Sequence, residues 1–146
     1  VTPWEHNRSG KAERLMRSIQ EGARIVLAGA DCELFGGVEE VRKFWCFAVE
    51  YAGYLLNLCR HRAIGMSPYE ARFLEEPKME VYGFGMRAVM VWPEEKRAKM
   101  ERYQERNKDG IYLGRRRNHH LILDLQCWNE KRQVKVHRTK QFRVAE

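Results

Sequence analysis

The 146-residue chain is short of aspartate: it has three, Asp31, Asp109 and Asp124. A reaction that needs several converging carboxylates must therefore lean on glutamate or on residues outside this sequence. Cysteine is also scarce. The four thiols, Cys32, Cys46, Cys59 and Cys127, form no Cys-x-x-Cys pair, and the five histidines do not stand at zinc-ligand spacing from them. The expectation is reduced cysteines in an intracellular protein, with Cys46 and Cys59 acting as small apolar side chains in or beside a buried helix. Long apolar runs are missing too. The best stretch, Phe44 to Cys59, is interrupted by Glu50, which argues against a membrane-spanning segment. Val1 to Gly10 is polar and no cleavable apolar run follows, so no signal peptide is read, and an opening on valine suggests a fragment or a processed product.

Hydrophobic residues make up 44 % of the chain, enough for one modest domain or two small ones and too many for wholesale disorder. The net charge of +7 is unevenly spread. Residues 1–95 carry 12 Lys+Arg against 14 Asp+Glu, whereas residues 96–146 carry 15 against 6. All of the positive excess lies in the last third, which points that part toward a polyanion, most simply nucleic acid, rather than toward a surface that is basic only for solubility.

Apolar residues at Ala12, Leu15, Met16, Ile19, Ala23, Val26 and Leu27 recur at helical spacing and predict a helix from about Gly10 to Ala28. Residues 1–9 read as irregular, which puts Glu13 in the first turn, where the helix dipole favours an anion. Residues 29–38 read as a glycine-punctuated loop. Val38 to Leu58 reads as one core helix. Ser67-Pro68-Tyr69-Glu70 has the residues of a capping box, with a short helix to about Leu74 and a stop at Pro77. A domain boundary is placed at Pro77–Glu80, dividing the chain into 1–78 and 79–146.

Beyond it the period becomes alternating. Strands are expected at Val81–Trp92, Gly110–Gly114, His119–Leu125, Gln133–Arg138 and Thr139–Val144. A charged loop or short helix is expected over 94–108, and turns at Arg115–Asn118 and Trp128–Lys131. Short strands joined by tight turns read as a small antiparallel barrel. Arg115, Arg116 and Arg117 crowd one turn, and Lys131, Arg132 and Lys135 precede and open the last hairpin. All six are candidate phosphate contacts, although edge strands also carry Lys and Arg simply to avoid aggregation.

Several words occur in a telling order: Thr2-Pro3, Gly10, Ala12-Glu13-Arg14 and Arg17; Phe44-Trp45, Ala48-Val49, Ala52 and Tyr54-Leu55-Leu56-Asn57; Ser67-Pro68-Tyr69-Glu70-Ala71 with Phe73 and Pro77; Val81-Tyr82-Gly83-Phe84-Gly85; Lys108-Asp109-Gly110-Ile111-Tyr112-Leu113-Gly114. This ordered set resembles the C-terminal end of Ty1/copia-type retrotransposon integrases. Where that group usually has a Pro-Gln-Gln-Asn-type loop, this chain has Trp4 to Ser9, which puts DNA contact there in doubt. The resemblance implies an α+β chain. Its first part would be the helical C-terminal end of an RNase H-like integrase core (1–78), and its second a small SH3-like β-barrel (79–146). It implies a DDE polynucleotidyl transferase as parent, with Glu13 as the third metal-binding carboxylate and Mg²⁺ or Mn²⁺ as cofactor in the complete integrase alone.

The resemblance also implies Lys11, Arg14 and Arg17 near DNA, element ends and target DNA as partners, and a missing upstream half of the integrase. A homo-oligomer and a nuclear or cytoplasmic, virus-like-particle location are further expectations. Both family aspartates precede the glutamate, and none of the three aspartates here does. The chain alone is therefore expected to be inactive. The competing expectation is a non-enzymatic nucleic-acid- or protein-binding module, from a decayed or domesticated element.

Overall fold

The computed structural model describes residues 3–145, with side chains from Gly10 onward. The chain is mixed α+β. Five helices come first: α1 (Pro3–Ala28), α2 (Cys32–Phe35), α3 (Val38–Arg42), α4 (Trp45–Leu58) and α5 (Pro68–Phe73). Then follow β1 (Arg87–Val91), α6 (Glu94–Ala98), β2 (Asn107–Arg116), β3 (His119–Asp124), α7 (Leu125–Lys131), β4 (Val136–Thr139) and β5 (Phe142–Val144). No helix among the described residues is long and apolar enough to cross a membrane.

Several elements differ from the sequence expectation. Helix α1 begins at Pro3 rather than near Gly10, because Pro3 suits a first helical turn and Gly10 is tolerated inside. Glu13 thus lies well inside the helix, and the first-turn dipole argument for it fails. The loop over 29–38 contains α2, started by the Asp31 side chain accepting from the Glu33 N–H (3.1 Å) and stopped by Gly36 in the left-handed region. The single helix over 38–58 is broken at Lys43-Phe44, which turns the Phe44 ring inward to meet Phe35 and Trp128, each at a centroid distance of 5.0 Å. The turn at 128–131 is instead part of α7, capped by Asp124, whose carboxylate accepts from the Cys127 N–H (3.1 Å).

The reading of residues 67–70 held. Ser67 caps α5 as a capping box: its hydroxyl accepts from the Glu70 N–H (3.1 Å), and the Glu70 carboxylate accepts from the Ser67 N–H (2.6 Å). Ser67→Ala is expected to lower stability by about 1 kcal/mol, read as a urea midpoint shift. Cys46 and Cys59 are exposed, correcting their reading as buried apolar groups, and all four cysteines are free thiols.

Strand β1 is shorter than the alternation suggested. Residues 81–86 form no regular strand: Phe84-Gly85 make a turn, the Gly85 N–H donates to the Tyr112 carbonyl (2.7 Å) and the Met86 carbonyl accepts from the Tyr112 N–H (2.9 Å), and Gly85 (φ +75°) lets this segment pass beneath the α1–α2 connection. A Cβ there would lie 2.4 Å from that of Ala30. The sheet is antiparallel, in the order β4-β3-β2-β1-β5, with no pairing between β4 and β5. Those two edge strands are nevertheless joined by only Lys140 and Gln141. Three chain steps reach about 11 Å, whereas the edges of a flat five-stranded sheet would stand about 19 Å apart. The sheet must therefore curl until its edges approach. The Phe142 ring packs where the two edges come near, 4.7 Å from Tyr82, 4.8 Å from His120 and 5.2 Å from Tyr112.

One apolar core runs through both halves of the chain. Ala23, Phe35, Val41, Phe44, Ala48, Tyr51 and Ala52 from the helices join Phe84, Ala88, Ile111, Tyr112, Leu113, Leu121, Ile122, Leu123 and Trp128. Strand β2 is buried without interruption from Gly110 to Gly114. Such two-sided burial calls for an apolar run in place of clean alternation. The Tyr51 ring of α4 lies against Gly114, so closely that a Cβ there would meet it at 3.0 Å. This packing brings the β2–β3 hairpin to α4 and so builds a basic face.

Candidate nucleic-acid interface

The β2–β3 hairpin turns through Arg117 and Asn118, and Arg117 is held at φ +54°. An arginine in this conformation is strained where glycine or asparagine would not be. The Arg115 Nε donates to the Arg117 carbonyl (3.1 Å) and stiffens the turn. The Arg115 guanidinium also sits 5.9 Å from the centre of the Tyr54 ring on α4. Arg116 is bidentate on Glu50 of α4, with its Nε and Nη2 each donating to a carboxylate oxygen at 2.7 Å. That bond outweighs the opposing effect of burial and, helped by the nearby positive charges of Arg116 and Arg138, lowers the pKa of the Glu50 carboxyl. Arg117 forms no ion pair among the described residues and lies exposed at the tip. The triple arginine is thus two anchored cations presenting a third, with Arg138 of β4 within electrostatic reach of the same carboxylate.

Below the hairpin, His120 has its pKa lowered by burial and by the Arg115 charge; its Nδ1 lies 3.3 Å from the Tyr112 hydroxyl. Burial drives the Tyr112 phenol far above its ordinary pKa, so it stays neutral. The arginines of this face carry a charge that does not depend on pH.

The other sequence candidates fall elsewhere. Arg132 caps α7 with φ +51°. Its Nη1 donates to the Phe35 carbonyl (3.0 Å), and its guanidinium covers the Trp128 ring at 5.3 Å, so this side chain clamps α7 to α2. Lys131 and Lys135 are exposed at either end of the link from α7 to β4. Lys11, Glu13, Arg14 and Arg17 are exposed on α1. Among the described residues no three His, Cys, Asp or Glu side chains come together in a way that could hold a metal ion. An isolated exposed carboxylate does not by itself fit a catalytic divalent cation.

All three aspartates are engaged in bonds within the chain: Asp31 caps α2, Asp109 is paired to Arg87 in an exposed ion pair, and Asp124 caps α7. Asp124 is a buried hub that sequence reasoning missed. Besides capping, it takes Lys108 Nζ at 2.7 Å and His137 Nε2 at 3.2 Å. Burial alone would raise its pKa, but the bonds from Lys108, the Cys127 N–H and His137 outweigh it and leave the pKa strongly lowered. Glu50 and Tyr54 were also missed as supports of the arginine turn. They read only as members of a core helix, and nothing local links them to residues more than sixty positions later.

The chain matches no protein-family model, no curated protein and no solved structure.

Proposed function

We propose that the chain is the C-terminal part of a Ty1/copia-like integrase, and that its own activity is to bind nucleic acid through the phosphate backbone. The observation that carries this reading is the arginine hairpin braced against α4, on a chain whose last third holds all of its excess positive charge. Phosphate contact from a rigid basic turn gives affinity without reading sequence, as a protein handling both element ends and arbitrary target DNA requires.

The strand order, a meander whose last strand returns to the first, together with the curl of the sheet, supports assigning residues 79–146 to an SH3-like barrel. The helices then belong to the end of an RNase H-like core, with Glu13 as its third carboxylate and a Mg²⁺ or Mn²⁺ site formed only with an upstream half. The engagement of all three aspartates in structural bonds favours a second reading of this chain by itself, as a binding module without catalysis.

The test is a salt titration of duplex DNA binding by the full chain, followed by fluorescence anisotropy without added metal. Log K should fall linearly with log salt. Arg117→Glu should weaken binding about tenfold and reduce the salt slope by about 1 or more, equally for unrelated sequences. Binding that does not change with salt, or Arg117→Glu without effect, would remove the hairpin from the interface.

A further inference from the structure

Helices α1, α2, α3 and the start of α4 enclose an open apolar groove of about 630 Å³. Leu27, Val38, Val41 and Trp45 line it, and Arg24 and Arg42 stand at its rim. Arg42 is paired with Glu39 at 2.8 Å in an exposed pair, and Arg24 forms no ion pair among the described residues. A groove of this kind asks for an apolar side chain flanked by carboxylates.

The same chain carries that feature. Leu74 is 90 % exposed and Phe73 beside it 53 % exposed. Glu75 and Glu76 follow directly, both exposed. Leu74 ends α5 in the left-handed conformation, φ +57°, with its N–H bonded to the Glu70 carbonyl at 2.8 Å. Helices usually end this way on glycine or asparagine. A leucine here is strained, and its side chain stands almost wholly in water, with little of it covered within one molecule.

Groove and knob cannot meet within one molecule. The groove includes Trp45, the first residue of α4, whereas α5 packs beside Tyr54, Asn57 and Leu58 at its other end. The 14 residues of α4 put the two about 20 Å apart.

We propose that the groove receives Phe73 and Leu74 of a second copy of this chain, with the second copy's Glu75 and Glu76 pairing with Arg24 and Arg42. The contact is head-to-tail, because different surfaces meet, and each added copy leaves a free groove at one end and a free knob at the other. The assembly grows as an open chain, and does not depend on nucleic acid.

Sedimentation velocity of the full chain, from about 10 to about 500 μM in buffered saline, tests this. The weight-average sedimentation coefficient should rise with concentration and pass the dimer value. Leu74→Asp alone, and Arg24→Glu with Arg42→Glu, should each weaken association at least about tenfold; all three positions are exposed, so the fold should survive. Mixing the two variants is decisive. The knob of the groove variant still fits the groove of Leu74→Asp, so a 1:1 complex should form and stop there. A chain that stays monomeric throughout the range would overturn the proposal and give the groove to another partner. So would a mixture that forms no 1:1 complex, and association that persists in both single variants would place it on another surface.

Discussion

Asp124→Ala is expected to destabilise the protein by about 3 kcal/mol at neutral pH, roughly 6–12 °C in melting temperature. The substitution removes the α7 cap, a loss of about 1 kcal/mol, and strips the partner from two cationic or donor groups that are mostly buried. Lys108 and His137 are 24 % and 20 % exposed in their side chains, whereas the Asp124 side chain is fully buried. Lys108 can swing out into the adjoining cleft lined by Arg106, Gln126 and Asn129, so the effect falls at the lower end of those seen for broken buried pairs. The pH dependence follows from the lowered pKa of the native carboxyl. A group whose pKa is depressed on folding contributes fully above its unfolded value, near 3.9, and loses that contribution as pH falls toward the native value. Wild type and Asp124→Ala should therefore differ by a constant amount from about pH 5 upward and converge below about pH 4. Lys108→Met should move the acid loss to higher pH, because one of the bonds that lower the native pKa is gone. Urea unfolding followed by circular dichroism across this range checks both. A difference that did not shrink in acid would mean that Asp124 acts as a cap and spacer and not as a charge.

What could be read from the sequence follows the range of each interaction. The Ser67–Glu70 capping box was legible because both of its bonds close within three residues. The amphipathic stripe of α1 was legible as well, but not its start, because glycine and polar residues resemble a boundary when no partner is in view. The left-handed Arg117 and Arg132 gave no signal, since neither residue favours that conformation. The Arg116–Glu50 pair joins residues 66 positions apart, and Trp128 reaches the Phe35 carbonyl across 93. Such pairs depend on how the sheet docks on α4, which no local pattern records. The sign and location of the basic excess needed only composition. Whether an arginine faces solvent, as Arg117 does, or clamps the fold, as Arg132 does, needed the structure.

Trp128→Ala is expected to cost more than the loss of Asp124, about 3–5 kcal/mol. Trp128 is 1 % exposed. It comes from the sheet half of the chain, yet its ring meets Phe44 edge-on at 5.0 Å and its indole N–H donates to the Phe35 carbonyl at 2.8 Å. Removing it opens a cavity between α2, the Lys43-Phe44 break and α7 that the aromatic rings around it cannot fill by relaxing. The same seam sets how the molecule unfolds. Tyr51 packs on Gly114 and donates from its hydroxyl to the Tyr82 carbonyl, and Glu50 holds Arg116, so the packing that completes the sheet comes from residues before the 78/79 boundary. Tryptophan fluorescence and far-ultraviolet circular dichroism should therefore report a single coincident urea transition for the full chain. Trp128→Ala should shift that transition to lower urea while leaving its slope unchanged. A chain cut to residues 79–146 loses Phe35, Phe44 and Tyr51 as cover for Trp128 and Tyr112; it should bind a hydrophobic dye and melt without a cooperative transition. Two separated transitions in the full chain, or a sharply melting 79–146 segment, would show that the sheet carries its own core and that the helices merely dock on it.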